Sequence, residues 1–438
     1  MGEYKSSIYN IEITEKQGWA LVYNSFSGAV AWFEEQYMDA VLHDDMTLIK
    51  ENGLFQPMLE KGFIIGEGVD QWALANYERF RAIFREDPEN VTFIIAPSMK
   101  CNYHCLYCFE NTDAPKNTMS EIAWEHTIAY IKKFVDNHSN LRDVYISWFG
   151  GEPTLQIENI LKYSKQLQDY IQKRGVHYQA RIITNGSLLT KDVAWQMANE
   201  CNVQAAQITL DGLGELYAKK KGTTSENFYR TIQNIKDACD LFRIIIRINI
   251  DRDNVQEIEN LLALLLDESG LNGKILVDFA MIQNWNDEEE IKNTCLTESE
   301  YITFIKDIHR TALVRGWGDS FMQKLPRRHI VSCGMLHVNN CVIGPDEKLY
   351  RCSHMLNREG WEIGNLQDGL LHNGTDLRFL LDSADKRCRT CKAFPVCGGG
   401  CIANRLIHNK SQPICREYID WIRENVLFAL KCKNQGNN

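Results

Sequence analysis

The sequence predicts an α/β chain: six consecutive βα units, with a different kind of sequence on either side. Two observations carry this expectation. Short β-rich, apolar runs alternate with helical patterns between about residues 91 and 315, which implies parallel strands joined by crossover helices. Fifteen cysteines are spread unevenly over 438 residues, with none before residue 101, three within 101–108 and nine within 333–432. Thiols scattered for packing would not cluster in this way. The length is compatible with about three domains.

Strands are expected at 91–95, 144–149, 180–184, 204–210, 243–250 and 274–282. Helices are expected at 120–138, where Ser120 is a good N-cap, and at 155–173, 190–200, 225–241, 254–267 and 297–315. Near-continuous apolar runs such as Arg243-Ile244-Ile245-Ile246 read as a sheet buried on both faces. Six such units form an open, partial (β/α)6 barrel or a doubly wound sheet. In either, chemistry belongs at the C-terminal ends of the strands.

Residues 1–90 read differently. A hairpin is expected from 9–13 and 19–23, helices at about 29–42, 46–52 and 55–61, a short strand at 62–66 and a helix over 69–84. This pattern fits a small winged-helix-like module. From about 320 the chain is rich in Cys, Gly and turns, with little apolar periodicity to build its own core, and so reads as metal-stapled. The expected domains are 1–90, 91–318 and 319–438.

The net charge of −10 argues against a general nucleic-acid binder. The start of the chain is polar, and no run approaches the roughly 18 apolar residues of a membrane span. The expectation is a cytoplasmic chain with neither nucleic acid nor membrane as partner. Thiols stay reduced there, so clustered cysteines read as metal or catalytic sites.

The first cluster is Cys101-x3-Cys105-x2-Cys108, directly after the first strand of the βα series. Three thiolates on one loop suit a [4Fe–4S] cluster whose fourth iron stays open. A structural zinc site would want a fourth protein ligand, such as His104 or a distant residue. Strand two ends in Gly150-Gly151-Glu152-Pro153, strand three in Thr184-Asn185-Gly186, and strand four in Thr209-Leu210-Asp211-Gly212. Each also has a plainer reading. Pro153 suits a helix N1 position, Asn185 an Asx-turn, and Asp211 a cap.

Taken together, residues 91–315 resemble the radical S-adenosylmethionine superfamily, including the aromatic Tyr107 before the last cysteine. The resemblance implies that Cys101, Cys105 and Cys108 hold the cluster. It also implies that Tyr107, Gly150, Gly151, Glu152, Asn185, Thr209, Asp211 and Arg247 surround S-adenosylmethionine, with Glu152 facing the methionine ammonium. Reductive cleavage of the bound S-adenosylmethionine would give a 5′-deoxyadenosyl radical that takes hydrogen from a C–H bond.

The second field reads Cys333-x7-Cys341-x10-Cys352, then Cys388-x2-Cys391-x5-Cys397-x3-Cys401, then Cys415. It resembles the SPASM extension of these enzymes, which implies two auxiliary [4Fe–4S] clusters. Cys333, Cys341, Cys352 and Cys401 would hold one, and Cys388, Cys391, Cys397 and Cys415 the other. A pair of zinc sites is the alternative. Glu347 stands where many relatives have Gly. Cys201 and Cys239 read as packing residues, and Cys432 as either a spare ligand or idle.

The combined resemblance implies a maturase of ribosomally made precursor peptides, supplied with electrons by a flavodoxin- or ferredoxin-like donor. The N-terminal module resembles the peptide-recognition module of such enzymes, which binds a leader peptide by strand addition; it also reads as a cap on the barrel. The expected product is a cross-link, a Cys thioether first. Formylglycine formation in sulfatases, carbon–carbon cross-linking and epimerisation are the alternatives, and a non-enzymatic iron–sulfur or zinc scaffold stands outside them. Sulfatase maturases usually carry Asp directly after the third cysteine of the first auxiliary set, where this chain has Ser353. Asp346, Ser353 and His354 are the candidate proton acceptors.

Overall fold

The computed structural model describes residues 4–46, 53–110, 117–322, 325–382, 386–408 and 417–435. The helix expected at 46–52 falls, from residue 47 onward, outside the described residues, as does Cys415.

The chain opens with β1 (Tyr4–Ser6), β2 (Asn10–Lys16), β3 (Trp19–Asn24), β4 (Val30–Glu34), α1 (Glu35–Leu42), α2 (Phe55–Glu60), β5 (Ile64–Gly66) and α3 (Gln71–Ile83). The expected hairpin is β2–β3, with Asn10 opposite Asn24. Residues 30–34 are a third strand rather than the first turn of a helix. Val30, Trp32 and Phe33 favour a pleated surface, and Trp32 pairs with Leu21. The helix begins only at Glu35. β1 and β5 form a separate antiparallel pair.

The middle of the chain runs β6 (Asn90–Ile95), α4 (Glu121–Asn137), β7 (Asp143–Trp148), α5 (Ile157–Gln172), β8 (His177–Thr184), α6 (Lys191–Glu200), β9 (Val203–Thr209), α7 (Gly214–Lys221), α8 (Ser225–Ala238), β10 (Arg243–Ile250), α9 (Ile258–Leu262), β11 (Ile275–Met281), α10 (Glu289–Thr294) and α11 (Glu298–Arg315). All six expected strands are present. They pair in parallel and in sequence order, from β6 to β11. Ser120 caps α4 through the Ala123 amide, and Thr297 with Glu300 closes a capping box on α11. α7 was not expected: Gly214–Lys221 ends in three lysines and has no clear apolar stripe.

The tail adds β12 (Cys341–Ile343), β13 (Lys348–Tyr350), β14 (Glu362–Asn365), β15 (Gly369–Leu370), α12 (Gly374–Leu380), α13 (Phe394–Cys397), α14 (Ile402–Ile407) and α15 (Tyr418–Gln435). It is not a separate layer. β12 pairs in parallel with β6, and β13 to β15 continue antiparallel, so one ten-stranded sheet runs through core and tail.

The two faces of the parallel strands differ. Phe93, Ile146, Trp148, Ala180, Ile182, Ile208 and Ile246 are fully buried against the helices. The alternate residues include Thr92, Gln179, Arg181, Gln207, Arg247 and Asp278, and these are half-buried or exposed. The expected burial on both faces therefore holds only for the helix side. The other face carries these polar side chains and stays partly accessible.

The N-terminal part docks firmly on the tail. Ile11, Ile13, Leu21 and Tyr23 share a buried cluster with Val396, Ile422 and Val426. The Tyr23 hydroxyl donates to the Pro326 carbonyl, and Arg423 Nε to the Glu12 carbonyl at 2.9 Å. Ile422 is fully buried at this junction. Ile422→Ala is expected to cost about 2–5 kcal/mol through the cavity it leaves, read as a lower denaturant midpoint.

Candidate functional site

The parallel register collects the sequence motifs at one edge of the sheet. Ile95 lies beside Trp148, Trp148 beside Ile182, and Thr184 beside Ile208. The loops that follow β6, β7, β8 and β9 therefore leave the sheet side by side. They carry Cys101–Cys108, Gly150–Glu152, Asn185 and Asp211 respectively.

The cysteine loop is held at its start by the Gly150–Glu152 turn. Gly151 N donates to Ser98 O at 3.0 Å and Glu152 N to Lys100 O at 2.9 Å. Gly150 has φ +111°, and a Cβ there would stand 2.2 Å from Ser98 O; one on Gly151 would stand 2.4 Å from Lys100 O. Only glycine allows this approach. The Glu152 side chain is fully buried. Its Oε1 accepts from Thr154 N at 3.0 Å and from the Thr154 and Thr184 hydroxyls, and its Oε2 accepts from Asn185 N at 2.8 Å. Burial pushes its carboxyl up, and these hydrogen bonds pull the other way. Asn185 Nδ2 donates to Asn102 Oδ1 at 2.8 Å and lies 3.9 Å from Cys101 Sγ. Its Oδ1 accepts from Ser187 N, so the Asx-turn is also made.

The middle of the loop is held by a buried ion-pair network. Tyr107 donates to Asp211, and Lys221 Nζ reaches Tyr107 Oη at 2.6 Å and Asp211 Oδ2 at 3.0 Å. Asp211 Oδ1 accepts from Asn249 N at 2.7 Å. Burial works against the Lys221 charge, yet Asp211 holds its pKa well above the usual range. Burial and Asp211 likewise push the Tyr107 hydroxyl well up. His104 N and Leu106 N donate to Lys221 O and Lys220 O, both at 3.0 Å. A second buried pair, Lys220–Asp251, stands alongside. The unanticipated α7 therefore supplies both the cation and the carbonyls that fix the loop. Arg247 lies beside Thr209 in register and pairs with Asp278 on the polar face.

The end of the loop meets the tail. Asn286 Nδ2 donates to Cys108 O at 3.1 Å, and Arg358 Nη2 to Phe109 O at 3.2 Å. The Phe109 ring stacks on His354 at 3.7 Å, and Trp285 covers the other side of His354 at 3.9 Å. His354 Nδ1 is 3.6 Å from Cys352 Sγ. Burial and then Arg358 push its imidazole down to about 3, which keeps it neutral at physiological pH. Of the three candidate proton acceptors, His354 thus bridges the two cysteine fields. Asp346 instead accepts from the Tyr350 hydroxyl at 2.6 Å in the β12–β13 turn. Ser353 is half-buried beside Cys352.

Glu110 carries no sequence signature. It stands near all three loop thiols, and its Oε2 meets no hydrogen-bond partner. Burial and then Glu152 push its carboxyl up to about 8. Burial also raises the thiols, Cys101 to about 11 and Cys108 to about 12. A metal must therefore displace protons to bind them.

In the tail, Gly398, Gly399 and Gly400 all have positive φ and turn the chain sharply between Cys397 and Cys401. A Cβ on Gly398 would stand 2.6 Å from Ser332 N, so this turn packs against the approach to Cys333. The Cys352 thiol is raised by burial, with Cys401 and Cys333 near enough to add to the rise. These three come together, but Cys341 does not join them. It lies beside Phe93 in register, on the sheet face covered by α4, where the Tyr130 hydroxyl bonds its thiol. Val342, its neighbour, packs with Cys352 on the opposite face. Strand alternation is the cause. Cys388 and Cys391 meet at a second place, around Tyr9 and Phe394. Cys201 is core, and Cys432 packs from α15 against the main core. No described cysteine is in a disulfide. Among the described residues, no three His, Cys, Asp or Glu side chains are grouped to hold a single metal ion.

Residues 95–265 match the family model of the Radical SAM superfamily. The chain carries a radical SAM domain, and that domain implies a [4Fe–4S] cluster and S-adenosylmethionine. It is 30% identical over 156 residues to the radical SAM cyclopropyl synthase TigE of Paramaledivibacter caminithermalis, covering 33% of this chain and 32% of that protein. It is 22% identical over 333 residues to a cysteine-type anaerobic sulfatase-maturating enzyme of Clostridium perfringens, covering 71% and 88%. Among solved structures, native anSMEcpe with bound AdoMet overlays with TM-score 0.61 at 21% identity, over 80% of this chain and 99% of that one. Streptococcus suis SuiB bound to precursor peptide SuiA overlays with TM-score 0.55 at 16% identity, over 95% and 99%. These likenesses establish the fold. Three convergent thiols and the orphaned Glu110 carboxyl beside them fit a metal cluster and a cationic ligand.

Asp211→Asn is expected to leave the buried Lys221 ammonium without its counter-charge, at a cost of about 3–5 kcal/mol. Hydrogen exchange should then show the His104 and Leu106 amides losing protection before the sheet does.

Proposed function

We propose that the protein is a peptide maturase that joins a substrate cysteine to a carbon of another residue as a thioether. The observation that carries this reading is Cys341. With that thiol turned to the helix side of the sheet, Cys333, Cys352 and Cys401 are three donors where four were expected. A three-donor site leaves room for a thiolate from outside the chain, which a thioether-forming reaction needs. A peptide substrate is supported by the precursor peptide bound to SuiB and by the sulfatase-maturating relatives.

On this reading Cys101, Cys105 and Cys108 hold the first cluster, and the second field holds two more. Cys388, Cys391, Cys397 and Cys415 form the remaining set. When bound, the first cluster and S-adenosylmethionine supply a 5′-deoxyadenosyl radical able to take hydrogen from a substrate C–H bond. The chain's own contribution is positional. The Tyr107–Asp211–Lys221 network fixes the loop, and Glu152 clamps the Gly150–Gly151 turn to Asn185. Glu152 accepts three of its four internal hydrogen bonds at Oε1 and one at Oε2, so Oε2 keeps acceptor capacity for the methionine ammonium, and the Glu110 carboxyl is a second anionic group beside the thiols. His354, between Phe109 and Trp285, is held neutral and offers its imidazole to the site as a hydrogen-bonding group, not as a base. The accessible polar face of the sheet, with Arg181, Gln207 and Arg247, offers hydrogen bonds to peptide groups. In the N-terminal sheet β4 pairs, among the described residues, with β3 alone, so its outer edge suits leader-peptide addition.

Sulfatase maturation is the second reading, favoured by the likeness to the Clostridium perfringens enzyme. Ser353 in place of the usual Asp counts against it.

Anaerobic reconstitution should load about 12 Fe per chain, on three four-iron clusters. Cys341→Ala should keep that content, whereas Cys352→Ala should lose about 4 Fe. A Cys-bearing precursor peptide encoded nearby should lose the mass of two hydrogens, with its cysteine then refractory to alkylation. An alkylatable cysteine after that mass loss would favour a carbon–carbon link. Zinc in place of iron, without 5′-deoxyadenosine, would refute the radical reading.

A further inference from the structure

Arg79 sits in the N-terminal part of the chain, far in sequence from the second cysteine field. It lies on α3 and is 1% exposed. Its Nε and Nη1 meet no hydrogen-bond partner, and it forms no ion pair with a described carboxylate. Its guanidinium carbon stands 5.4 Å from the centre of the Phe80 ring, which satisfies none of the N–H groups. Arginine does not give up its proton to escape burial. An isolated buried cation is costly unless something anionic meets it.

What it faces is the second cysteine set. Ala75 and Arg79 are one helical turn apart and share the inward face of α3. Ala75 is in one buried cluster with Cys388, Tyr9 and Phe394, and Trp72 and Cys391 pack against that cluster. Cys388 is near enough to favour the Arg79 charge, against the burial that opposes it. Protonated thiols supply no counter-charge. Thiolates gathered on an iron–sulfur core do, because four of them outweigh its positive charge.

We propose that Arg79 is the buried counter-cation of the iron–sulfur centre held by Cys388, Cys391 and Cys397. This rests on the reading above that the set binds a four-iron cluster. Arg79 makes that centre easier to reduce, because a fixed positive charge in a low-dielectric site favours the state carrying one more electron. It is a positioning residue, supplied by the segment read as peptide-handling, and it joins that segment to the redox machinery of the tail.

The test is an EPR-monitored redox titration of the full-length reconstituted protein. The signal of this centre is identified as the one lost in the Cys388→Ala/Cys391→Ala double variant. Arg79→Gln should retain the iron and move the midpoint of that signal to more negative potential, leaving the other signals in place. Arg79→Lys, which keeps the positive charge, should hold the midpoint close to that of the unsubstituted protein. An unshifted midpoint in Arg79→Gln would overturn the counter-cation role while leaving the cluster assignment intact. Loss of the centre in both Arg79→Gln and Arg79→Lys would reduce Arg79 to a packing residue and also overturn it. If the double variant removes neither iron nor signal, the cluster assignment itself fails, and the proposal with it.

Discussion

The parallel pairing of six strands in sequence order is the constraint on which everything else depends. In a parallel sheet each strand must be followed by a crossover before the next begins, so all the strand-to-helix loops emerge at one edge. Here that edge receives the cysteine loop, the glycine turn, Asn185 and Asp211 in adjacent positions. None of these loops could organise the others alone. The glycine turn binds the backbone of Ser98 and Lys100, Glu152 reaches across to Thr184 and Asn185, and Asp211 reaches back to Tyr107. Each strand end thereby fixes its neighbour, and a loop of eight residues carrying three thiols is held at start, middle and end.

The fixing is electrostatically expensive. Two buried Lys–Asp pairs, an orphaned carboxyl at Glu110 and an unpartnered guanidinium at Arg79 sit close to the cysteine sites. Away from those sites, buried polar groups such as Asn10, Asn24 and Gln71 are satisfied by hydrogen bonds within the chain. Buried charges of this kind are weak contributors to stability, so their concentration points to ligands that are themselves charged. The orphaned carboxyl lies where a cationic ligand is expected and the orphaned guanidinium where an anionic cluster is expected. The two signs are matched to their places.

Much of this was legible in the sequence, and the limits have physical reasons. Alternating apolar runs gave all six core strands, and Ser120 announced its helix. The motifs at the strand ends were readable because spacing and residue type are local properties. The third N-terminal strand was not, because residues 30–34 have an apolar pattern too short to separate strand from helix; pairing with β3 decided it. α7 was missed because tertiary contacts, not an apolar stripe, hold it. Cys341 marks a deeper limit. Its spacing matches a ligand set, yet side-chain direction in a strand alternates with each residue. Which face a thiol takes depends on where β12 enters the sheet beside β6. Glu110, Arg79, Trp285 and the stack on His354 were invisible for a related reason: each matters for what it lies beside.

The integration of the N-terminal part with the tail changes what that part can be. A detachable recognition module would be joined to its enzyme by a linker and a modest, polar interface. Here β2 and β3 bury Ile11, Ile13, Leu21 and Tyr23 against α13 and α15, and α3 sends Arg79 to the second cysteine set. The same small sheet leaves β4 with an open edge. A peptide strand added there would extend a sheet whose other face is already packed on the cysteine-rich tail. Such a surface has little freedom to move as a unit, so the placement of a bound leader relative to the cysteine loop would be set by the fold, not by a flexible tether. On the proposed reading, a substrate segment following the leader would have a fixed origin, and the distance to the polar face would select which of its residues arrives beside Phe109, His354 and Trp285.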